Sequence, residues 1–186
     1  MRVTDAIAEV LKREGTEYLF NYPVNPLIEA AAAVGIRPIV CRQERVGLGI
    51  ADAYARITNG KKTAVFVMQA GPGVENAYPG ITTAYSDSSP VLLLPGGYAS
   101  GYAGWPKVFN AVEQAASVTK WSERVTNPNE VPSAIRRAFS RLKSGKLGPV
   151  MLEVAGDIGP EEIDEALLAG ELDGAIHSLK DLPSDY

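Results

Sequence analysis

A chain of 186 residues, 46% of them hydrophobic and 22% charged, is long enough to bury one core and has the composition of a single soluble globular domain. A net charge of -4, with no basic patch interleaved with aromatics, argues against nucleic acid as a partner. Cys41 is the only cysteine, so no internal disulfide forms, and with charge at Arg2 and Asp5 and no apolar run near the ~20 residues of a membrane span the expectation is an unexported, cytoplasmic protein without a membrane partner.

The pattern predicts alternating helices and strands. Thr4 is suited to cap a helix through Glu14, with Ile7, Ala8, Val10 and Leu11 inward and Gly15 at its stop. Tyr18 to Asn21 reads as a strand. Leu27 to Val34 reads as an alanine-rich helix after Pro26, a residue fitted to a first helical turn. Arg37 to Cys41 is short, β-branched and apolar, which predicts a buried strand, and Glu44 stands where that strand passes into the next helix. In that helix Val46, Ile50, Ala53, Tyr54 and Ile57 recur at helical spacing and predict the buried stripe, while Asn59-Gly60 ends it.

Lys62 to Met68 is apolar on both faces, as in a parallel sheet covered by helices. Gly71-Pro72-Gly73 follows as a tight turn that brings bare backbone to a ligand and opens a helix at Val74. Val91 to Leu94 is another apolar strand, and Gly96 to Gly104 is a loop rich in Gly and Tyr. Val118 to Arg124 reads as a short strand. Glu130 to Lys143 reads as a helix with Val131, Ile135, Ala138, Phe139 and Leu142 along one side, and Val150 to Val154 closes the count at six strands. The whole predicts an α/β fold, a doubly wound six-stranded parallel sheet with helices on both faces.

Composition changes after Val154. Residues 153 to 186 hold ten acids and one base, against twelve acids and seventeen bases before them, so the two parts carry -9 and +5. The expected organisation is a domain over residues 1–155 and an acidic tail over 156–186, with one short acidic helix from Glu161 to Leu168 stopped by Gly170.

A carboxylate at the end of one strand and a glycine turn at the end of the next fall on the same sheet edge, where open α/β folds bind ligands. The stretch RQERVGLGIADAYARITNGKKTAVFVMQAGPGVENAYPGITTAY resembles the pyrimidine-binding domain of thiamine-diphosphate enzymes of the acetolactate synthase and 2-oxoacid decarboxylase type. In that family a glutamate and a helix with an A-D-x-Y-A-R run precede a strand and a G-P-G-x-x-N turn. Tyr18 to Pro23 resembles the first strand and its Y-P turn, with Val24-Asn25 where a Gly pair is usual. Phe109 to Gln114, Thr119-Lys120-Trp121 and Gly148 to Glu153 resemble the F-Q-x-x-D-Q, T-K-W and G-P-V segments.

The resemblance implies thiamine diphosphate as cofactor, with Glu44 as the catalytic residue that exchanges a proton with the pyrimidine ring. A dry pocket would favour such sharing by raising the pKa of the carboxyl. Pro23, Gln69, Gly71, Pro72, Gly73 and Asn76 would bind the cofactor, and Asn25, Phe109, Asn110 and Gln114 would approach the substrate, a small 2-oxoacid. The plainer alternatives are a carboxylate in a helix first turn for Glu44 and turn chemistry alone for the glycines. A dinucleotide site fails because position 76 is Asn and not the third Gly.

The family's diphosphate and Mg2+ are held by a second domain with a G-D-G motif, absent from this sequence. The resemblance therefore implies a subunit of a split decarboxylase or carboligase, acetolactate synthase-like or sulfopyruvate decarboxylase-like. It would be inactive alone, with the Mg2+ bound by a diphosphate-domain partner in a homodimer or heterotetramer. A redox or acyl-transferring relative would need redox centres on that partner, since one cysteine ligates no iron–sulfur cluster. The other open alternative is a non-catalytic orphan or truncated domain with a binding or regulatory role. Near the carboxyl end, Asp173 to Pro183 resembles the D-x-A-x-H-S-x-K-D-x-P segment of hydroxymethylbilane synthase. Its His177, Lys180 and Asp181 are read as part of a solvated tail and not as site residues.

Overall fold

A computed structural model describes residues 1–23, 26–102 and 104–169. Six strands, β1 (Tyr18–Asn21), β2 (Arg37–Val40), β3 (Ala64–Met68), β4 (Val91–Pro95), β5 (Trp121–Val125) and β6 (Val150–Val154), form one sheet in the order β2-β1-β3-β4-β6-β5. Every pairing is parallel, with Phe20 opposite both Ile39 and Phe66, Phe66 opposite Leu93, and Leu93 opposite Met151. The sheet is the six-stranded parallel arrangement expected from alternating strands and helices.

Strand alternation sorts the core into two layers. Val65, Val67, Leu92, Leu94, Val150 and Leu152 pack against α1 (Val3–Arg13), α2 (Leu27–Ala33) and α6 (Val131–Lys143). Phe66, Met68, Val91, Leu93 and Met151 face the other way, against α3 (Glu44–Ile57), α4 (Pro72–Ser86) and α5 (Ala111–Ala115). β3 and β4 are buried at all five positions because helices cover both sides of them. On α6 the expected stripe of Val131, Ile135, Ala138, Phe139 and Leu142 is buried.

Three expectations, for β2, α3 and the start of α1, are corrected. β2 is not buried: among the described residues it lies at the sheet edge beside β1 alone, and Val40 is 59% exposed. On α3 the buried face is Gly47, Leu48, Ala51 and Ala55, while Val46, Ile50 and Ile57 are 51%, 40% and 82% exposed. Apolar residues occupy two faces of this helix, and close fit selects the one with small residues. A Cβ on Gly47 would stand 2.5 Å from the fully buried ring of Phe66, so that face alone can lie flat on the sheet.

Thr4, third, does not cap α1. The helix begins at Val3, and the first-turn N–H groups of Val3 and Thr4 donate to the carbonyls of Glu161 (2.9 Å) and Gly159 (3.2 Å). Distant backbone does the work of a cap side chain.

Residues 156–169 run back over α1 and α6. Met1 and Ile163 exchange backbone hydrogen bonds, Ile158, Ile163 and Leu168 are buried, and Arg13 donates to the carbonyl of Leu168 at 3.0 Å. The helix expected over Glu161 to Leu168 is only α7 (Ala166–Ala169). Gly170 and the stretch from Asp173 to Pro183 lie outside the described residues. Among the described residues no helix is long and apolar enough to cross a membrane.

Candidate functional site

The chain leaves β1 through α2 to β2 on one side and then returns through α3 to β3 on the other side of β1. The switch in direction lies between the carboxyl ends of β1 and β3, where such sheets leave an open crevice. The Asn21 carbonyl accepts from the Cys41 N–H (2.8 Å) and the Tyr22 N–H donates to Val67 (3.1 Å), so the segments leaving β1 and β2 are tied at this edge. Pro23 follows directly in a turn, and Asn25 lies outside the described residues.

Glu44 is the first residue of α3, after extended Gln43. It is 5% exposed, and its Oε2 accepts a 2.7 Å hydrogen bond from Nδ2 of Asn76 on α4. A carboxylate this buried needs a donor, and the Asn76 amide is that donor. Its other oxygen, Oε1, accepts no hydrogen bond among the described residues. A Cβ on Gly73 would stand 3.1 Å from Oε1 and 2.8 Å from the Cβ of Gln69, so the bare Gly73 keeps one side of that oxygen uncovered.

Gly71 caps α4 at φ 57, ψ -101, a backbone for which glycine is suited, and Pro72 takes the first helical position. A side chain at Gly71 would also collide with the hydroxyl of Tyr98. Glu44, Gln69, Gly71, Pro72, Gly73 and Asn76 thus meet in one place.

Tyr98 was not singled out by the sequence, and its position depends on contacts between distant segments. Its carbonyl accepts from Nη2 of Arg124 at 2.8 Å, and next to it Ser100 binds Asp157 through both its N–H (2.9 Å) and its hydroxyl (2.5 Å). Two hydrogen bonds from Ser100, with a smaller attraction from the charge of Arg124, hold the Asp157 carboxyl below its usual range. Arg124 faces Glu153, with Nε 3.6 Å from Oε1, while Oε2 of Glu153 is buried without a hydrogen-bond partner among the described residues. Burial pushes the Glu153 carboxyl up, and Arg124 only partly opposes it.

Phe109, Asn110 and Gln114 are elsewhere. With Tyr102, Trp105 and Arg124 they line a cavity of about 320 Å³ whose wall includes the edge-on pair of Tyr102 and Trp105, 5.3 Å apart. Asn110 caps α5, accepting from the Glu113 N–H (3.2 Å) while its amide donates to the Glu113 carboxylate (3.1 Å), so its polar atoms are engaged locally. Asn21 is a further residue that pattern alone missed. It is fully buried, and neither side-chain polar atom has a hydrogen-bond partner among the described residues.

Residues 1–120 match the family model described as thiamine pyrophosphate enzyme, N-terminal TPP binding domain. The chain belongs to this family. It is 32% identical over 160 residues to the acetolactate synthase large subunit of Haemophilus influenzae, an alignment that covers 82% of this chain and 27% of that protein. It is 32% identical over 169 residues to the probable acetolactate synthase large subunit of Methanocaldococcus jannaschii (88% and 28%), and 30% identical to acetolactate synthase isozyme 3 large subunit of Escherichia coli (83% and 28%). The chain therefore spans under a third of the length of these relatives.

Proposed function

We propose that residues 1–155 form the pyrimidine-binding half of a thiamine-diphosphate site and residues 156–186 an acidic extension of that domain. The protein is then a subunit of a 2-oxoacid decarboxylase or carboligase of the acetolactate synthase or sulfopyruvate decarboxylase kind, completed by a partner domain that supplies the diphosphate and Mg2+ contacts. The carrying observation is the buried Glu44 carboxylate, held through Oε2 by Asn76 and left uncovered at Oε1 above Gly73. That geometry fits a flat heteroaromatic ring, because one methyl group on Gly73 would fill the space next to Oε1.

When bound, the cofactor supplies a carbon nucleophile and an electron sink. Glu44 holds and exchanges a proton at Oε1 with the pyrimidine, and Asn76 fixes the rotamer that presents this oxygen. Gln69, Gly71, Pro72, Gly73 and Pro23 shape the wall against the ring. Phe109 and Gln114, with Asn25, belong to the substrate approach; Asn110 contributes there by ordering α5.

The exposed Val46, Ile50 and Ile57 begin two residues beyond Glu44, and an apolar strip of this kind marks a surface that another subunit covers. The test is calorimetric titration of thiamine diphosphate and Mg2+ into the chain alone and with a diphosphate-domain protein that carries G-D-G. Tight binding requires the pair, since Mg2+ and phosphate contacts dominate such sites. Tight Mg2+-dependent binding by the chain alone would refute the division of the site.

A further inference from the structure

The cavity of about 320 Å³ beside α5 lies on the same face of the sheet as α3 and Glu44, and α4 stands between the two. Asn76 of α4 reaches Glu44 at 2.7 Å. Two residues on, the Tyr78 hydroxyl donates to the Gln114 carbonyl at the cavity wall, at 3.4 Å. The loop that carries Tyr102 is rooted at the same edge, where the Gly96 N–H donates to the Met68 carbonyl (2.9 Å) at the end of β3. Two walls of the cavity, α4 and this loop, are therefore also walls of the Glu44 site.

Arg124 is the one cation among the described residues that line this cavity. The Tyr98 carbonyl holds its Nη2 at 2.8 Å, whereas its Nη1 makes no hydrogen bond among the described residues. Glu153 stands 3.6 Å from Nε without a hydrogen bond, and burial shifts it toward the neutral acid. Glu113, the one carboxylate in the lining, is exposed and takes the Asn110 amide, while Asp157 is bound by Ser100. The aromatic rings of Tyr102 and Trp105 stand exposed at the mouth. A guanidinium fixed at one end and open at the other, among aromatic walls, suits a planar anion on an apolar stem. A cation paired with the carboxylate that departs as CO2 would hold the ground state more tightly than the transition state, where that charge has moved away. Arg124 is therefore suited to a group that stays. We infer that Arg124 reads a second carboxylate at the far end of the substrate, and that the protein favours 2-oxo dicarboxylic acids. Their methylenes lie along Tyr102, Trp105 and Phe109, and the 2-oxo end lies toward α4 and Glu44. This inference rests on the 2-oxoacid reading above and adds the substrate class to it.

The full chain is titrated by NMR with 2-oxoglutarate and with 2-oxopentanoate, which carries a methyl group in place of the far carboxylate. 2-Oxoglutarate should bind about ten- to hundredfold more tightly, the usual worth of a hydrogen bond to a charged group, and move the Trp105 indole N–H signal. The double variant Arg124→Gln/Glu153→Gln should erase the preference; removing both charges of a buried pair together is milder for the fold than removing one. Trp105→Ala, at an exposed position that leaves the fold intact, should weaken both acids and keep the preference. Equal or absent binding of the two acids by the unaltered protein, a preference that survives the double variant, or binding that Trp105→Ala leaves unchanged overturns the inference. A separate titration with 4-amino-5-hydroxymethyl-2-methylpyrimidine, followed at the Asn76 side-chain amide, tests the thiamine reading alone, so the two failures are distinguishable.

Discussion

The Asn76 side-chain amide and the Glu44 carboxylate, 32 residues apart in sequence, meet at 2.7 Å and join the start of α3 to the second turn of α4. The bond satisfies one oxygen of a carboxylate that has almost no contact with water and leaves the other free to act. Asn76→Ala should therefore cost about 1 to 3 kcal/mol, the usual penalty for a buried acceptor stripped of its donor. Urea denaturation of the two proteins measures it. An unchanged midpoint would show that Glu44 does not depend on Asn76.

Two glycines of α3, two positions apart, should respond with opposite signs. Gly47→Ala places a methyl group 2.5 Å from the Phe66 ring and 3.3 Å from the Cys41 Cβ, in a fully packed layer, and overpacking of this kind typically costs about 1 to 3 kcal/mol. Gly49→Ala meets nothing within 4 Å and should stabilise the helix by about 0.5 to 1 kcal/mol. Thermal melts of both variants decide it. The same sign for both would contradict the assignment of the buried face.

Glu153 makes stability depend on pH. Burial raises its folded pKa above the unfolded value, so the folded state holds the proton more tightly. Its contribution is complete below the ordinary carboxylate range and declines as pH rises through the raised value. Asp5 and Asp157, lowered by hydrogen bonds from Arg2 and Ser100, act in the opposite sense on acidification. Those groups are common to both proteins, so Glu153→Gln isolates one carboxyl. Melting temperatures of the two proteins should coincide near pH 4 and diverge toward pH 8, with the variant higher. A constant difference across that range would remove Glu153 as the cause.

The outer face of α3 should matter to association and not to folding. Ile50→Asp alters a residue that is 40% exposed and borders the core without entering it. The melting temperature should change little, while self-association or capture of a diphosphate-domain partner should weaken by at least about tenfold, as for truncation of an interface anchor. Analytical ultracentrifugation measures both. Wild-type association by the variant would place the interface elsewhere.

Much of this architecture is legible in local pattern. The run from Ala64 to Met68 could only be a strand covered on both sides, and the turn at Gly71 to Gly73 declared its own geometry. The inner face of α3 was not legible, because Val46, Ile50 and Ile57 are more hydrophobic than the residues that are buried. What decides is the fit of Gly47 to Phe66, a contact between elements. Glu44 and Asn76 were both assigned to the site by resemblance, yet their bond depends on how α3 and α4 pack. Tyr98 at Gly71 depends on a loop path set by Arg124 and Asp157, far along the chain. Asn110, assigned to the substrate, spends its amide on capping α5.

The central claim is that Glu44 exchanges a proton with a bound pyrimidine, and hydrogen–deuterium exchange at the reactive carbon of thiamine diphosphate measures it most directly. The protein and its Glu44→Gln variant are compared in complex with a diphosphate-domain partner and Mg2+. Gln is close to isosteric and can still meet Asn76 through its carbonyl oxygen, so the fold should persist while proton exchange is lost. Exchange should slow by roughly 10²- to 10⁴-fold in the variant, the usual contribution of a positioned acid or base. Exchange at the wild-type rate in a folded, cofactor-bound Glu44→Gln complex would contradict the account.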